Sequence, residues 1–281
     1  MTIFVSTEWL ASLIDQPDLR ILDATLFLPG TPRDARAEFV QAHIPGAAFL
    51  DLDTLADADD PAPHMLPPDD VMTQRLQSLG IDADSRIIVY DNSPIRSAAR
   101  AWWMLRLYGV GAQVAILDGG MTKWLAEGRP VESGEAPPPP GSVVARRVAT
   151  GVRTRADMIA NVESGAEQVV DARGAGRFAG AEPEPRPGMA SGHIPGSRNL
   201  PYAALFAPDN SLKPDEELRA LFEQAGIDPD RPVVTTCGSG VTAAILLAAL
   251  ERIGNRDVAL YDGSWSQWGM DPDTPKETGA A

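Results

Sequence analysis

The sequence has few residues of the kinds that form disulfides or bind metals. Its 281 residues include one cysteine, Cys237, and three histidines. One thiol cannot close an intramolecular disulfide, so no disulfide framework is expected. The histidines, His43, His64 and His193, lie far apart along the chain, whereas a structural zinc site needs several closely spaced ligands. We therefore expect no metal site.

Basic side chains and long apolar runs are also scarce. The chain has 24 Lys and Arg against 39 Asp and Glu, a net charge of −15. Such a charge disfavours nucleic acid and anionic membrane surfaces, and we expect neither as a partner. No stretch approaches the roughly 18 consecutive apolar residues of a membrane helix. The first residues, "MTIFVSTEWLASLIDQ", lack the features of a signal peptide, so the expected location is cytoplasmic.

The chain repeats itself at an offset of about 146 residues. "QAHIPGAAFLDLDTL" returns as "ASGHIPGSRNLPYAAL", and "LDGGMTKW" returns as "YDGSWSQW". Two whole tandem domains fit this period. Between them, "ESGEAPPPPGS" contains four consecutive prolines, which favour a stiff extended spacer. We predict a first domain at residues 1–131, a proline-rich linker at 132–150 and a second domain at 151–281.

Short Val/Ile-rich runs alternate with helical patterns in each half. The runs predict buried strands at 21–24, 87–90, 114–117, 168–171, 233–236 and 257–261. "AARAWWMLRLYG" and "TAAILLAALERIG" have helical spacing and end at glycine. This alternation predicts an α/β fold in which each domain is a parallel sheet with helices on both faces.

Cys237 stands at the end of a predicted strand, in "VVTTCGSGVTAAILLAAL". In parallel sheets, ligands bind at the carboxyl ends of the strands. Gly238 and Gly240 let successive backbone N–H groups turn toward one point, and the following helix adds its positive end. These features favour a thiolate, the nucleophilic form of cysteine. The repeat aligns Asp91 with Cys237, which indicates one active half and one silent half.

The silent first half and the "CGSGVT" loop together resemble the two-domain rhodanese-type sulfurtransferases. The resemblance runs nearly end to end, through "HMLP", "AWWML", "DARGAGRF", "EPEPRPG", "GHIPG" and "DGSW". Within that family the loop is similar to that of members that take sulfur from 3-mercaptopyruvate. Thiosulfate-specific members usually carry basic residues just after the cysteine. The resemblance implies two tandem rhodanese-like domains.

The resemblance also implies the site residues. Cys237 would be the nucleophile, and Asp53, His64 and Ser239 would form a proton relay. Arg177 and Arg186 would bind the substrate, since a guanidinium can grip a carboxylate with two parallel hydrogen bonds. The remaining substrate-binding positions implied are those of the cysteine loop: Gly238, Gly240, Val241 and Thr242.

The function implied is a sulfurtransferase that needs no cofactor, because sulfur itself is the electrophile. Cys237 would take the sulfur of 3-mercaptopyruvate as a persulfide and release pyruvate. A thioredoxin-like protein, a small thiol or cyanide would then accept the sulfur. Thiosulfate:cyanide sulfur transfer and a non-catalytic persulfide carrier are the alternatives.

Cys237 has two other interpretations. Most lone cysteines are small buried hydrophobes, although such a residue needs no glycine loop. Phosphatases that share the general fold hold the phosphate with an arginine six positions after the cysteine. Ala243 stands there in this chain, which disfavours phosphate hydrolysis.

Overall fold

The computed structural model describes residues 2–111, 113–148 and 150–280. Its contacts divide the chain into two compact units. The first comprises Met1–Asp57, Leu66–Val148 and Ala207–Leu212. The second comprises Ala58–Met65, Ala149–Phe206 and Lys213–Ala281. The segment that carries His64 therefore packs with the second unit, although it lies in the first half of the sequence.

In the first unit, strands and helices alternate along the chain. They are β1 Phe4–Val5, α1 Thr7–Leu13, β2 Leu19–Asp23, α2 Ala35–Gln41, β3 Ala47–Phe49, α3 Asp69–Ser78, β4 Arg86–Tyr90, α4 Ala98–Leu107, β5 Gln113–Leu117 and α5 Gly120–Ala126. The strands pair in parallel in the order β1-β5-β4-β2-β3.

The second unit repeats this arrangement. Its elements are β6 Val152–Arg153, α6 Arg155–Ser164, β7 Gln168–Asp171, α7 Ala175–Phe178, β8 Arg198–Asn199, a 3₁₀ turn at Tyr202–Leu205, α8 Asp215–Gln224, β9 Val233–Thr236, α9 Ala243–Arg252, β10 Val258–Tyr261 and α10 Ser264–Trp268. The order β6-β10-β9-β7-β8 is again parallel and matches the first sheet strand for strand.

Both faces of the first sheet are covered, as the unbroken apolar runs predict. Successive strand residues point to opposite faces. In β4, Ile88 and Tyr90 join the core cluster that contains Leu10 of α1 and Trp124 of α5. Val89, on the other face, is fully buried, and α4 packs against β4 and β5. The predicted α/β fold of two parallel sheets is confirmed.

The proline-rich segment packs along the first unit. Its backbone bonds to α3 and the loop behind it, with Gly141 N–H donating to Gln77 O over 2.8 Å and Val143 N–H to Ile81 O over 3.1 Å. Val143 is buried. Residues 132–148 thus contribute to the first unit, whereas the sequence boundary treats them as spacer. Within the described ranges, no helix is long and apolar enough to cross a membrane.

Asp23 is a buried carboxyl group at the end of β2. Its Oδ1 accepts hydrogen bonds from the Thr25 N–H at 2.9 Å and the Thr25 hydroxyl at 2.5 Å. Burial is the largest influence and raises the pKa of Asp23 to about 6, and the nearby carboxyl of Asp91 pushes it the same way. The folded protein therefore binds this proton more tightly than the unfolded chain does.

We expect Asp23→Asn to flatten the dependence of stability on pH. In the wild type the stabilisation from this proton is complete below about pH 4 and is lost as the pH rises through about 6. The loss amounts to between about 1 and 3 kcal/mol. Melting temperatures near pH 5 and near pH 8 should fall further apart in the wild type than in the variant. Equal pH dependence in both proteins would contradict this account of Asp23.

Candidate active site

The only cysteine lies where strand β9 gives way to helix α9. Cys237 directly follows Thr236, the last residue of β9, and is buried with 2% exposure. Gly240 adopts φ +75°, a backbone conformation that favours glycine. Val241 is buried, and Thr242 precedes the first residue of the ten-residue α9. The positive end of that helix therefore faces the turn that holds the thiol.

The backbone of this turn is held by the segment "DGSW". The Cys237 carbonyl accepts the Trp265 N–H at 2.9 Å, and the Gly238 carbonyl accepts the Ser266 N–H at 2.8 Å. The Cys237 N–H donates to Ser264 Oγ over 3.2 Å. Ser264 is fully buried and left-handed, with φ +47°, which is uncommon for a residue other than glycine. The residue equivalent to Ser264 in the first half is Gly120.

In the equivalent loop of the first unit, backbone N–H groups donate to a buried carboxyl group. Asp91 follows β4, and α4 begins seven residues later, whereas α9 begins six residues after Cys237. The Asp91 carboxylate accepts N–H bonds from Ser93 at 3.0 Å and Ala98 at 2.8 Å. Burial raises the pKa of Asp91, and these two bonds act against that rise. The first unit thus has a side-chain carboxyl group at the position that Cys237 occupies in the second unit.

His64 and Ser239 are in contact in the second unit. His64 Nδ1 lies 3.0 Å from Ser239 Oγ, and Ser239 is 7% exposed. His64 is left-handed, with φ +62°. Residues held in such conformations cluster at functional sites. Asp53 belongs to the first unit, where it is exposed and its N–H donates to Asp51 Oδ1 over 3.1 Å.

Arg177 approaches the cysteine loop. A Cβ atom placed on Gly238 would lie 3.1 Å from Arg177 Nη2. Arg177 is the third of the four residues of α7, and its Nε and Nη2 both donate to Oε2 of Glu184, whose side chain is buried. Arg186 is half-buried in the segment that follows. A glycine at 238 therefore leaves room for a cation beside the cysteine loop.

The two other histidines have structural surroundings. His43 and His193 are buried, and each donates Nδ1–H to a main-chain carbonyl: His43 to Phe39 O at 2.8 Å and His193 to Phe178 O at 2.9 Å. Each ring also stacks on the ring of the same phenylalanine. Over the residues that the structure describes, no group of three or more His, Cys, Asp or Glu could hold a metal ion.

The sequence model of the Rhodanese-like domain matches residues 6–127 and 154–271, which is most of both halves. The chain belongs to the rhodanese family.

Relatives with two different donors in their names match this rhodanese equally well. The rat 3-mercaptopyruvate sulfurtransferase is 42% identical over 272 residues, covering 95% of this chain and 91% of the relative. The bovine thiosulfate sulfurtransferase is 41% identical over 271 residues, covering 94% and 91%. The crystal structure of SseA, a 3-mercaptopyruvate sulfotransferase from Escherichia coli, has a TM-score of 0.86 at 39% identity and covers 94% of this chain and 99% of that chain. Overall identity does not separate the two donors, so the choice depends on the site.

Sequence reasoning missed two residues of this candidate site. Ser264 was visible only as a difference between "DGGM" and "DGSW", which needs the structure to show that its hydroxyl meets Cys237. Glu184 lies in "EPEPR", a motif in which only Arg186 has a side chain typical of carboxylate binding. Glu184 accepts hydrogen bonds from Arg177, and the Ser264 hydroxyl accepts one from the Cys237 N–H. No rule of sequence spacing links residue 184 or residue 264 to residue 237.

Proposed function

We propose that this protein is a 3-mercaptopyruvate sulfurtransferase with Cys237 as its nucleophile. The observation that carries the proposal is the position of Arg177, whose guanidinium lies against Gly238. Residues 238–242 are Gly-Ser-Gly-Val-Thr and carry no charged side chain. A compact dianion such as thiosulfate is best served by cations within the loop, whereas a single guanidinium at its side suits the carboxylate of a 2-oxo acid.

In the first half-reaction the Cys237 thiolate attacks the sulfur of 3-mercaptopyruvate. An S–S bond forms and the C–S bond breaks, and the bonding pair leaves on carbon as the enolate of pyruvate. Arg177 and Arg186 hold the carboxylate and carbonyl of the donor in this proposal. The enolate then takes one proton and departs as pyruvate. No external oxidant or reductant is needed, because the oxidation of the donor sulfur to the persulfide level is balanced by reduction of the carbon that keeps the C–S bonding pair and leaves in pyruvate.

The proton movement is assigned to Asp53, His64 and Ser239. The 3.0 Å contact between His64 Nδ1 and Ser239 Oγ supports the second half of this relay. The imidazole can exchange a proton through the serine hydroxyl, which is two residues from the nucleophile. Asp53 has the role of orienting the imidazole, as the aspartate of a hydrolase triad does.

The persulfide anion is stabilised by the backbone of its loop. Asp91 supports this step, because the same loop in the first unit directs the N–H groups of Ser93 and Ala98 to a side-chain carboxyl group. The corresponding donors in the second unit are the N–H groups of Ser239 and of the first turn of α9. A thiol of a thioredoxin-like protein, a small thiol or cyanide then attacks the outer sulfur and regenerates the Cys237 thiolate.

We expect 3-mercaptopyruvate to exceed thiosulfate as donor by at least about tenfold in kcat/KM. This ratio requires only about 1.4 kcal/mol of differential transition-state binding, which one well-placed guanidinium can supply. The measurement is steady-state turnover with each donor and cyanide as acceptor, following pyruvate and thiocyanate.

Thiosulfate:cyanide sulfur transfer is the second candidate, because the bovine thiosulfate sulfurtransferase is as similar as the relatives named for 3-mercaptopyruvate. Equal or reversed donor preference would select it and reject our proposal. A single equivalent of pyruvate, followed by arrest in the presence of cyanide, would instead indicate a persulfide carrier.

A further inference from the structure

Arg177 is the outermost member of a row of four bonded charged side chains that alternate in sign. Arg173 Nη2 donates to Asp171 Oδ2 at 2.7 Å, and its Nη1 donates to Glu184 Oε1 at 2.6 Å. The other oxygen of Glu184 accepts from Arg177. The side chains of Asp171, Arg173 and Glu184 are each about 1% exposed, whereas that of Arg177 is 24% exposed. This row of side chains therefore runs from the buried end of β7 to the side of the cysteine loop.

The fold itself does not require this row of charged side chains, because the first unit forms the equivalent turn after its strand without one. Asp23 ends β2 as Asp171 ends β7, and Thr25 takes the position of Arg173. In both units the aspartate Oδ1 accepts the N–H two residues later, at 2.9 Å from Thr25 and 2.8 Å from Arg173. Burying an extra Arg and Glu is costly in desolvation. The unit with this desolvation cost is the one that contains Cys237.

Glu184 also determines which edge of the Arg177 guanidinium remains for a ligand. A guanidinium offers two edges for parallel hydrogen bonds, Nε with Nη2 and Nη1 with Nη2. Glu184 occupies the first, at 3.2 Å from Nε together with its contact to Nη2. Nη2 is also the atom nearest to the Cβ position of Gly238. The Nη1–Nη2 edge is the one left for a ligand carboxylate in front of the loop.

We propose that Glu184 is a positioning residue for donor specificity: it presents the end-on edge of Arg177 to the carboxylate of the 2-oxo acid. Arg173 neutralises Glu184 from behind, so that Glu184 holds Arg177 without cancelling its charge. The inference rests on the proposed function, because it assigns the carboxylate to Arg177.

The test is Glu184→Gln, which keeps the shape of the side chain but places an N–H₂ donor against one of the two guanidinium groups. We expect the KM for 3-mercaptopyruvate to rise about tenfold or more while kcat changes little, because the lost interaction is the same in ground and transition states. The inhibition constant of pyruvate should rise in parallel. Cyanide attack on preformed persulfide should change less than about twofold, since that step needs no carboxylate.

Glu182→Gln is the matched control, because it removes the same charge from an exposed position in the same loop. It should leave both KM and the pyruvate inhibition constant unchanged. If Glu184→Gln does not fold, Glu184→Asp retains the charge and is one methylene shorter, so it cannot bridge both arginines and should raise KM similarly.

The outcomes separate the two claims. A wild type without donor preference rejects the proposed function. A wild type that prefers 3-mercaptopyruvate, with a folded Glu184 variant of unchanged KM and pyruvate inhibition, overturns the role of Glu184 alone. A variant that slows the cyanide step as much as the donor step also overturns it, because Glu184 would then support the loop as a whole.

Discussion

Replacing Cys237 by serine should leave a folded protein that releases no pyruvate from 3-mercaptopyruvate. The backbone bonds of residue 237, to Trp265 and to Ser264, do not involve its side chain and survive the change. Serine is also slightly smaller than cysteine and fits the buried position. Its hydroxyl is not appreciably ionised near neutral pH and cannot carry sulfane sulfur, so no other group takes over the first step.

Mass spectrometry gives the direct readout. Wild type treated with donor in the absence of acceptor should gain one sulfur atom, and Cys237→Ser should gain none. The melting temperature of the variant should stay close to that of the wild type. A wild type that turns over without ever showing the added sulfur, under single-turnover conditions, would exclude the covalent mechanism.

The sheets were predictable because their signal is local and strong. Runs such as 87–90 and 233–236 are apolar throughout, which a strand buried on both faces requires. The structure places β4 at Arg86–Tyr90 and β9 at Val233–Thr236. The helical patterns were equally clear: α4 and α9 are each followed two residues later by a glycine with positive φ, Gly109 and Gly254.

What the sequence could not give is which unit a loop packs against. The segment Ala58–Met65 has little apolar patterning, and its association with the second unit follows from tertiary contacts alone. The proline-rich stretch has the composition of a spacer, yet Gly141 and Val143 find backbone partners on the first unit. Composition indicates that a segment is stiff, but it does not indicate which part of the protein the segment packs against.

The residues of the candidate site were predictable where the residue type and its neighbours in sequence indicate a chemical role. A lone cysteine before a glycine loop does so. Glu184 does not, because a glutamate in a loop is usually solvated, and its burial between Arg173 and Arg177 depends on the fold. The internal repeat supplied the missing comparison, since Thr25 shows what the same corner looks like without a site.

The second large effect is expected at His64. A relay residue that assists proton transfer supplies about 10²- to 10⁴-fold in rate, so pyruvate release should slow by that range when the imidazole is lost. The φ of +62° decides the choice of variant. Asparagine tolerates the left-handed region better than other non-glycine residues, so His64→Asn removes the titratable ring without adding backbone strain.

Three measurements on His64→Asn separate proton transfer from loop support. The melting temperature should change little, and the pH profile of the donor step should lose one limb, because the group that titrates is gone. Ser239→Ala should show a similar loss, and the double variant should be hardly slower than either single one, since the two side chains meet at 3.0 Å and act as a unit. Effects that multiply in the double variant would show two independent roles. A His64→Asn protein with a normal rate of pyruvate release would leave the histidine as a support of its loop and remove it from the mechanism.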